Sequence, residues 1–193
     1  GGGVDNIFPH NECEIAQSEA ATGKQFANYW LLTGSLTVDG VKMSKSLGNF
    51  VTIRDLLKNH RPEAVRFFVL SGHYRSPIDF SDEALDAAGK GWERLTAPAW
   101  VVRERLRSPG LPEGSDAGML KAIEDARAAF VEAMDDDFNT PKAMAGLFDF
   151  NKTVNTLLND ETPILRGTLE AIDAFYREAG GQGLGVIPER ADA

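Results

Sequence analysis

Between Ser108 and Ser115 the chain reads Ser-Pro-Gly-Leu-Pro-Glu-Gly-Ser, and two prolines with two glycines in eight residues stop any helix or strand that reaches them. A chain of 193 residues is long enough for one large domain or two small ones, and this break predicts a domain junction near residue 110. Beyond it the apolar residues recur at helical spacing. Met119, Ile123, Ala126, Phe130 and Met134 form one stripe. Thr140-Pro141 supplies an N-cap and first-turn pair for the next helix, which carries Met144, Leu147, Phe148, Val154 and Leu158. A last helix is expected from Thr162-Pro163, with Leu165, Leu169, Ile172 and Tyr176, ending at Gly180-Gly181. Three such stripes can bury one another, which predicts an antiparallel helical bundle over residues 111–193.

Ahead of the break the pattern is mixed. Pro9 suits a first helical turn and predicts a helix from His10 to Ala21. Trp30 to Val41 is short and glycine-punctuated, as expected of a strand or two turning at Asp39-Gly40. Thr52 with Asp55 three residues later resembles a capping box for a helix carrying Ile53, Leu56 and Leu57. Pro62 opens a further helix with Val65, Phe68 and Val69, and Ser81 caps one in which Leu85, Ala88, Trp92 and Leu95 recur.

Charge is distributed unevenly. The chain carries a formal net charge of -9, which argues against attraction of the whole chain to nucleic acid. From Lys42 to Arg75, however, seven basic residues face two acidic ones, and a polyanion would meet the chain there first. From Leu120 to Ala193 fourteen acidic residues outnumber seven basic ones. No run is long and apolar enough for a membrane helix, and the single cysteine, Cys13, excludes an intramolecular disulfide. Together these features predict a cytoplasmic protein with no membrane partner.

Two segments carry candidate chemistry. In Lys42-Met43-Ser44-Lys45-Ser46-Leu47-Gly48-Asn49-Phe50, two lysines are bracketed by hydroxyls on a glycine-containing loop. Mobile ammonium groups of this kind can follow charge as it moves onto a leaving pyrophosphate, although an isolated K-x-x-K is usually a solvated loop. His10 and Glu14, at i and i+4, would project from one helix face and could hold one zinc ion, but two donors fill only half of a tetrahedral site.

The nine-residue string from Lys42 to Phe50 resembles the KMSKS signature loop of class I aminoacyl-tRNA synthetases. Gly1-Gly2-Gly3-Val4-Asp5, Phe8-Pro9-His10, Glu14 to Ala20, Ser71 to Pro77 and Met134 to Pro141 resemble strings of the cysteinyl-tRNA synthetases, in the same order. Two positions depart from that pattern. Asn11 stands where the family has a second histidine, and Cys13 where it has an asparagine.

The resemblance implies a mixed, mostly α chain: the C-terminal part of a Rossmann-like α/β catalytic domain (1–50), a helical stem-contact region (51–110) and an antiparallel helical bundle (111–193). It implies ligation of L-cysteine to tRNA(Cys) through cysteinyl-adenylate, with ATP as substrate and one zinc per chain. Lys45 and Lys42 would be catalytic, and both would bind ATP together with Ser44, Ser46, Gly3 and Asp5. His10 and Glu14 would ligate zinc, with Cys13 outside the ligand set. The opening at Gly1, without an initiator methionine, makes the chain an expected fragment, monomeric and inactive alone. Two other readings stay open: a mycothiol-type cysteine ligase, and a non-catalytic remnant of a synthetase.

Overall fold

The computed structural model describes residues 1–43 and 48–189. They divide into two compact units, one of Gly1–Phe50 with Tyr74–Ser81, the other of Val51–His73 with the chain from Asp82 onward.

In the first unit β1 (Gly2–Gly3) runs parallel to β2 (Leu32–Thr33), joined through α1 (Glu12–Thr22). A second sheet has β3 (Leu36–Val38) at its centre. β4 (Val41–Lys42) returns antiparallel beside it, through the Asp39-Gly40 turn expected from the sequence. Both turn residues have positive φ, at 51° and 74°, the backbone a tight hairpin requires. Along the chain α2 (Ile53–Asn59) and then α3 (Pro62–Ser71) intervene before β5 (Ile78–Phe80), which pairs parallel with β3. Asp79 ties the sheet to its own hairpin: its Oδ1 accepts from Gly40 N at 2.8 Å and from the Thr37 hydroxyl. Gly34 approaches the other strand so closely that a Cβ there would sit 2.3 Å from Ser76 O. Phe80 is the sole buried apolar side chain among the described residues of this unit.

The helix expected to begin at His10 starts two residues later. Phe8, preceding a proline, is extended (φ -129°, ψ 132°), and the chain passes through a wide π-type turn over Ile7–Asn11 before α1. Gly23, at φ 65°, closes α1 in the left-handed conformation.

The second unit is helical. Thr52 caps α2, its hydroxyl accepting from Asp55 N at 3.1 Å, as the sequence predicts, and Pro62 opens α3. The buried face of α3 is Ala64, Phe67 and Phe68, rotated from the expected one, so Val69 is exposed. α4 (Asp82–Leu106), α5 (Ala117–Asp135), α6 (Thr140–Leu158) and α7 (Arg166–Phe175) pack into a bundle whose core includes Leu95, Val102, Leu147, Val154, Leu169 and Ile172.

The Ser108–Ser115 segment joins α4 to α5 inside this unit, and it also starts α7. Arg166 N and Gly167 N donate to Pro112 O and Gly114 O at 2.8 and 2.9 Å, which satisfies amides that a helix start leaves unpaired. That docking is why α7 begins at Arg166 rather than at Thr162. It continues as a π-type helix over Tyr176–Gly183, past the expected stop. Asn139, not Thr140, caps α6, its Oδ1 accepting from Lys142 N at 3.1 Å.

After Gly183 the chain lies as a strap over α3 and α4. Arg66 Nε donates to Leu184 O at 2.7 Å, Trp92 Nε1 to Val186 O at 2.6 Å and Arg103 Nη1 to Pro188 O at 2.6 Å. Arg103 also donates Nε to Asp173 Oδ1 at 2.6 Å, and both side chains are nearly buried. Arg177 Nε takes the other Asp173 oxygen at 2.8 Å.

Candidate nucleotide and metal site

Lys42 ends β4, and Asp5 lies in the 3-10 turn that leaves β1. Their charged groups meet, with Lys42 Nζ 2.9 Å from Asp5 Oδ2. The hydrogen bond from Lys42, and then its charge, hold the Asp5 carboxyl below the usual carboxylate range. A Cβ on Gly3 would sit 2.5 Å from Asp5 Oδ1, so the carboxylate occupies space that only glycine leaves. Asn49 Nδ2 donates to Lys42 O at 3.3 Å, and Gly48 turns with φ 68°. The structure thus brings Gly3, Asp5 and Lys42 together. Ser44, Lys45 and Ser46 lie outside the described residues.

His10 is exposed in the π-type turn, and Glu14 is exposed in the first turn of α1. Cys13, between them in sequence, is an exposed free thiol. Trp30 packs on Phe26, ring centroids 6.1 Å apart.

In the second unit two further strings from the sequence meet. Thr140 Oγ1 donates to Leu70 O at 2.8 Å, and His73 Nε2 lies 3.9 Å from Asp137 Oδ2. Asp135 to Asp137 sit at the C-terminal end of α5, where their charge opposes the helix dipole. Asp137 and Phe138 both adopt positive φ, at 57° and 53°. Nothing in either string signals that the two touch.

The basic segment is partly consumed by internal contacts. Arg61 lies over the Trp92 ring, Arg66 holds Leu184 O, Arg75 lies over Tyr74, and Lys58 pairs with Asp55 at 2.7 Å.

Residues 1–90 match the family described as the class I (C) tRNA synthetase catalytic domain, and residues 129–187 match the DALR domain. The fold of a class I synthetase is shared with the ternary LeuRS–tRNA–LeuAMS complex from Agrobacterium radiobacter K84. That structure is 17% identical, with a TM-score of 0.60 over 98% of this chain and 28% of that one. Cysteine–tRNA ligase of Chlorobium chlorochromatii is 48% identical over 96% of this chain, and that of Deinococcus radiodurans 46% over 100%. The chain belongs to the cysteinyl-tRNA synthetase family. It spans 37% and 38% of the length of those two relatives.

The resemblance implies a zinc ion at His10 and Glu14. An imidazole and a carboxylate suit zinc, but among the described residues no three His, Cys, Asp or Glu side chains converge on one point. His10 and Glu14 therefore fit a zinc centre only as two ligands of a larger set.

Proposed function

We propose that the protein containing this chain ligates L-cysteine to tRNA(Cys), using ATP to form cysteinyl-adenylate and pyrophosphate before transfer to the terminal adenosine of the tRNA. The observation that carries this reading is the 48% identity to a cysteine–tRNA ligase across 96% of the chain, which includes the lysine loop, the His10–Glu14 pair and the Asp-Asp-Asp-Phe-Asn-Thr-Pro string.

In this reading Lys45 and Lys42 are catalytic. They stabilise the triphosphate as charge moves onto pyrophosphate, with the Ser44 and Ser46 hydroxyls donating beside them. Gly3 lets backbone approach the nucleotide, and Asp5 accepts from ribose hydroxyls. His10 and Glu14 hold one zinc per chain together with ligands from elsewhere. That zinc would supply a bond to the substrate thiolate that a serine hydroxyl cannot match. The exposed basic residues between Lys42 and Arg75 position the tRNA acceptor arm through its phosphates. The division at residues 50 and 110 into catalytic, stem-contact and bundle regions belongs to the same reading, as do a monomeric state and a cytoplasmic location.

The test is to express the complete reading frame that contains this chain, then measure cysteine-dependent ATP–pyrophosphate exchange and charging of tRNA(Cys). Exchange with charging is expected. Exchange without charging would favour the mycothiol-type ligase, and neither activity would favour the binding remnant.

A further inference from the structure

Among the described residues three buried side-chain atoms lack a hydrogen-bond partner, and two of them, Arg103 Nη2 and Glu63 Oε2, belong to residues that line one cavity of about 370 Å³. The cavity lies within the second unit, walled by the first turn of α3, the last turn of α4, the π-type helix after α7 and the strap. Arg103 is fixed by its other contacts, with Nε on Asp173 and Nη1 on Pro188 O, and its side chain is only 9% exposed. Its remaining nitrogen is therefore held in place with hydrogens still to give. An ionised Glu63 can only accept. Buried charged groups without partners are costly, so two of opposite sign at one cavity define what would relieve both: a molecule that accepts at Arg103 and donates at Glu63.

Charge narrows the choice. The walls carry Arg103 and Arg177 against Glu63 and Glu189, two against two, and Asp173 is already shared by both arginines. A simple anion would answer Arg103 but leave Glu63 unpartnered beside a second negative charge, and a simple cation would do the reverse. A molecule that carries both charges and is neutral overall answers both. The volume stands at the lower end of the range of about 300–1,000 Å³ usual for small-molecule sites, so the ligand is small. Gln182 and Glu189, on the wall, are exposed, which opens the cavity to solvent.

We propose that this cavity binds a small aminocarboxylate, whose carboxylate accepts from Arg103 Nη2 and whose ammonium donates to Glu63 Oε2. The site shares no residue with the nucleotide and metal positions of the first unit, and it does not depend on the reading given to them.

The experiment uses the complete protein that contains this chain. It is titrated calorimetrically with β-alanine, 4-aminobutyrate and 6-aminohexanoate, whose two charges are progressively further apart, and with butyrate and butylamine, which carry one charge each. One of the aminocarboxylates should bind at least about tenfold more tightly than either single-charge probe. Glu63→Gln should weaken it about ten- to hundredfold, the worth of a charge-assisted hydrogen bond, without weakening butyrate. The unliganded variant should melt no lower than the wild type, because it loses a buried charge that has no partner, and this separates lost binding from lost folding. Butyrate bound as tightly as the aminocarboxylates would show an anion site on the arginines alone, and affinity unchanged in Glu63→Gln would place the ammonium elsewhere. No heat with any probe would leave the cavity to water. Each of these three results overturns the proposal, and the comparison of probes on the wild type decides whether or not the variant folds.

Discussion

Asn151 accepts a hydrogen bond from the Tyr176 hydroxyl at 2.7 Å and donates its own Nδ2 to Leu95 O at 2.9 Å, joining α6 to both α4 and the helix that follows α7. Its α4 partner lies in the turn before Pro98, which has no N–H to return to the preceding turn. Asn151→Leu would leave two buried groups without partners and should lower stability by about 2–4 kcal/mol in urea unfolding. Tyr176→Phe removes one bond and should cost about 1 kcal/mol. Equal losses for the two variants would show that Asn151 does not bridge.

Burial pushes the Tyr176 phenol well above its ordinary value near 10. A raised pKa in the folded state means that this contribution to stability is complete below the unfolded value. It declines as pH rises past roughly 10, because the unfolded chain releases the proton first. Unfolding free energy followed from pH 8 upward should fall more steeply for the wild type than for Tyr176→Phe.

Arg103 and Asp173 form a buried pair whose members are costly to separate. Arg103→Met alone should destabilise the fold, by less than the about 3–5 kcal/mol of a fully stranded buried charge, because Arg177 still holds the other Asp173 oxygen. Replacing both, with Asp173→Leu added, should recover part of the loss, because Arg177 is half exposed and can turn to water. A double variant as unstable as the sum of the singles would refute this coupling.

Zinc retention should depend on His10. In the complete protein, about one zinc per chain is expected by metal analysis, His10→Ala should lose most of it, and Cys13→Ser should change little. Full zinc in His10→Ala would place the centre elsewhere.

Hydrogen exchange should separate the two units. Slow amides are expected in α4 to α7, whose inner faces are buried, and fast ones in α1, which buries no residue. Uniform protection across both would contradict the burial pattern.

What was legible in the sequence was local. The Thr52 cap, Pro62 at a helix start and the Asp39-Gly40 turn each follow from the preferences of one or two residues. The stripes of α6 and α7 followed from helical spacing, since Met144, Leu147, Val154, Leu169 and Ile172 are all buried. What escaped depends on distant partners. β5 has only three residues and exists through its pairing with β3, and α7 starts where Pro112 and Gly114 offer carbonyls. The same holds at the candidate site: Asp5 and Lys42 were separately picked out by resemblance, but their contact spans 37 positions and left no trace in either motif.

The strap after Gly183 reaches back across 118 residues to Arg66, 94 to Trp92 and 85 to Arg103. During synthesis, therefore, α3 and α4 emerge long before the carbonyls that satisfy their side chains, and a ribosome must add everything through Pro188 before these loops can close. The helices of the second unit can form early from local contacts, but its final locking is a late and all-or-none event. A nascent chain halted at Gly183 should hold its helices while remaining far more open to protease than one extended by six residues.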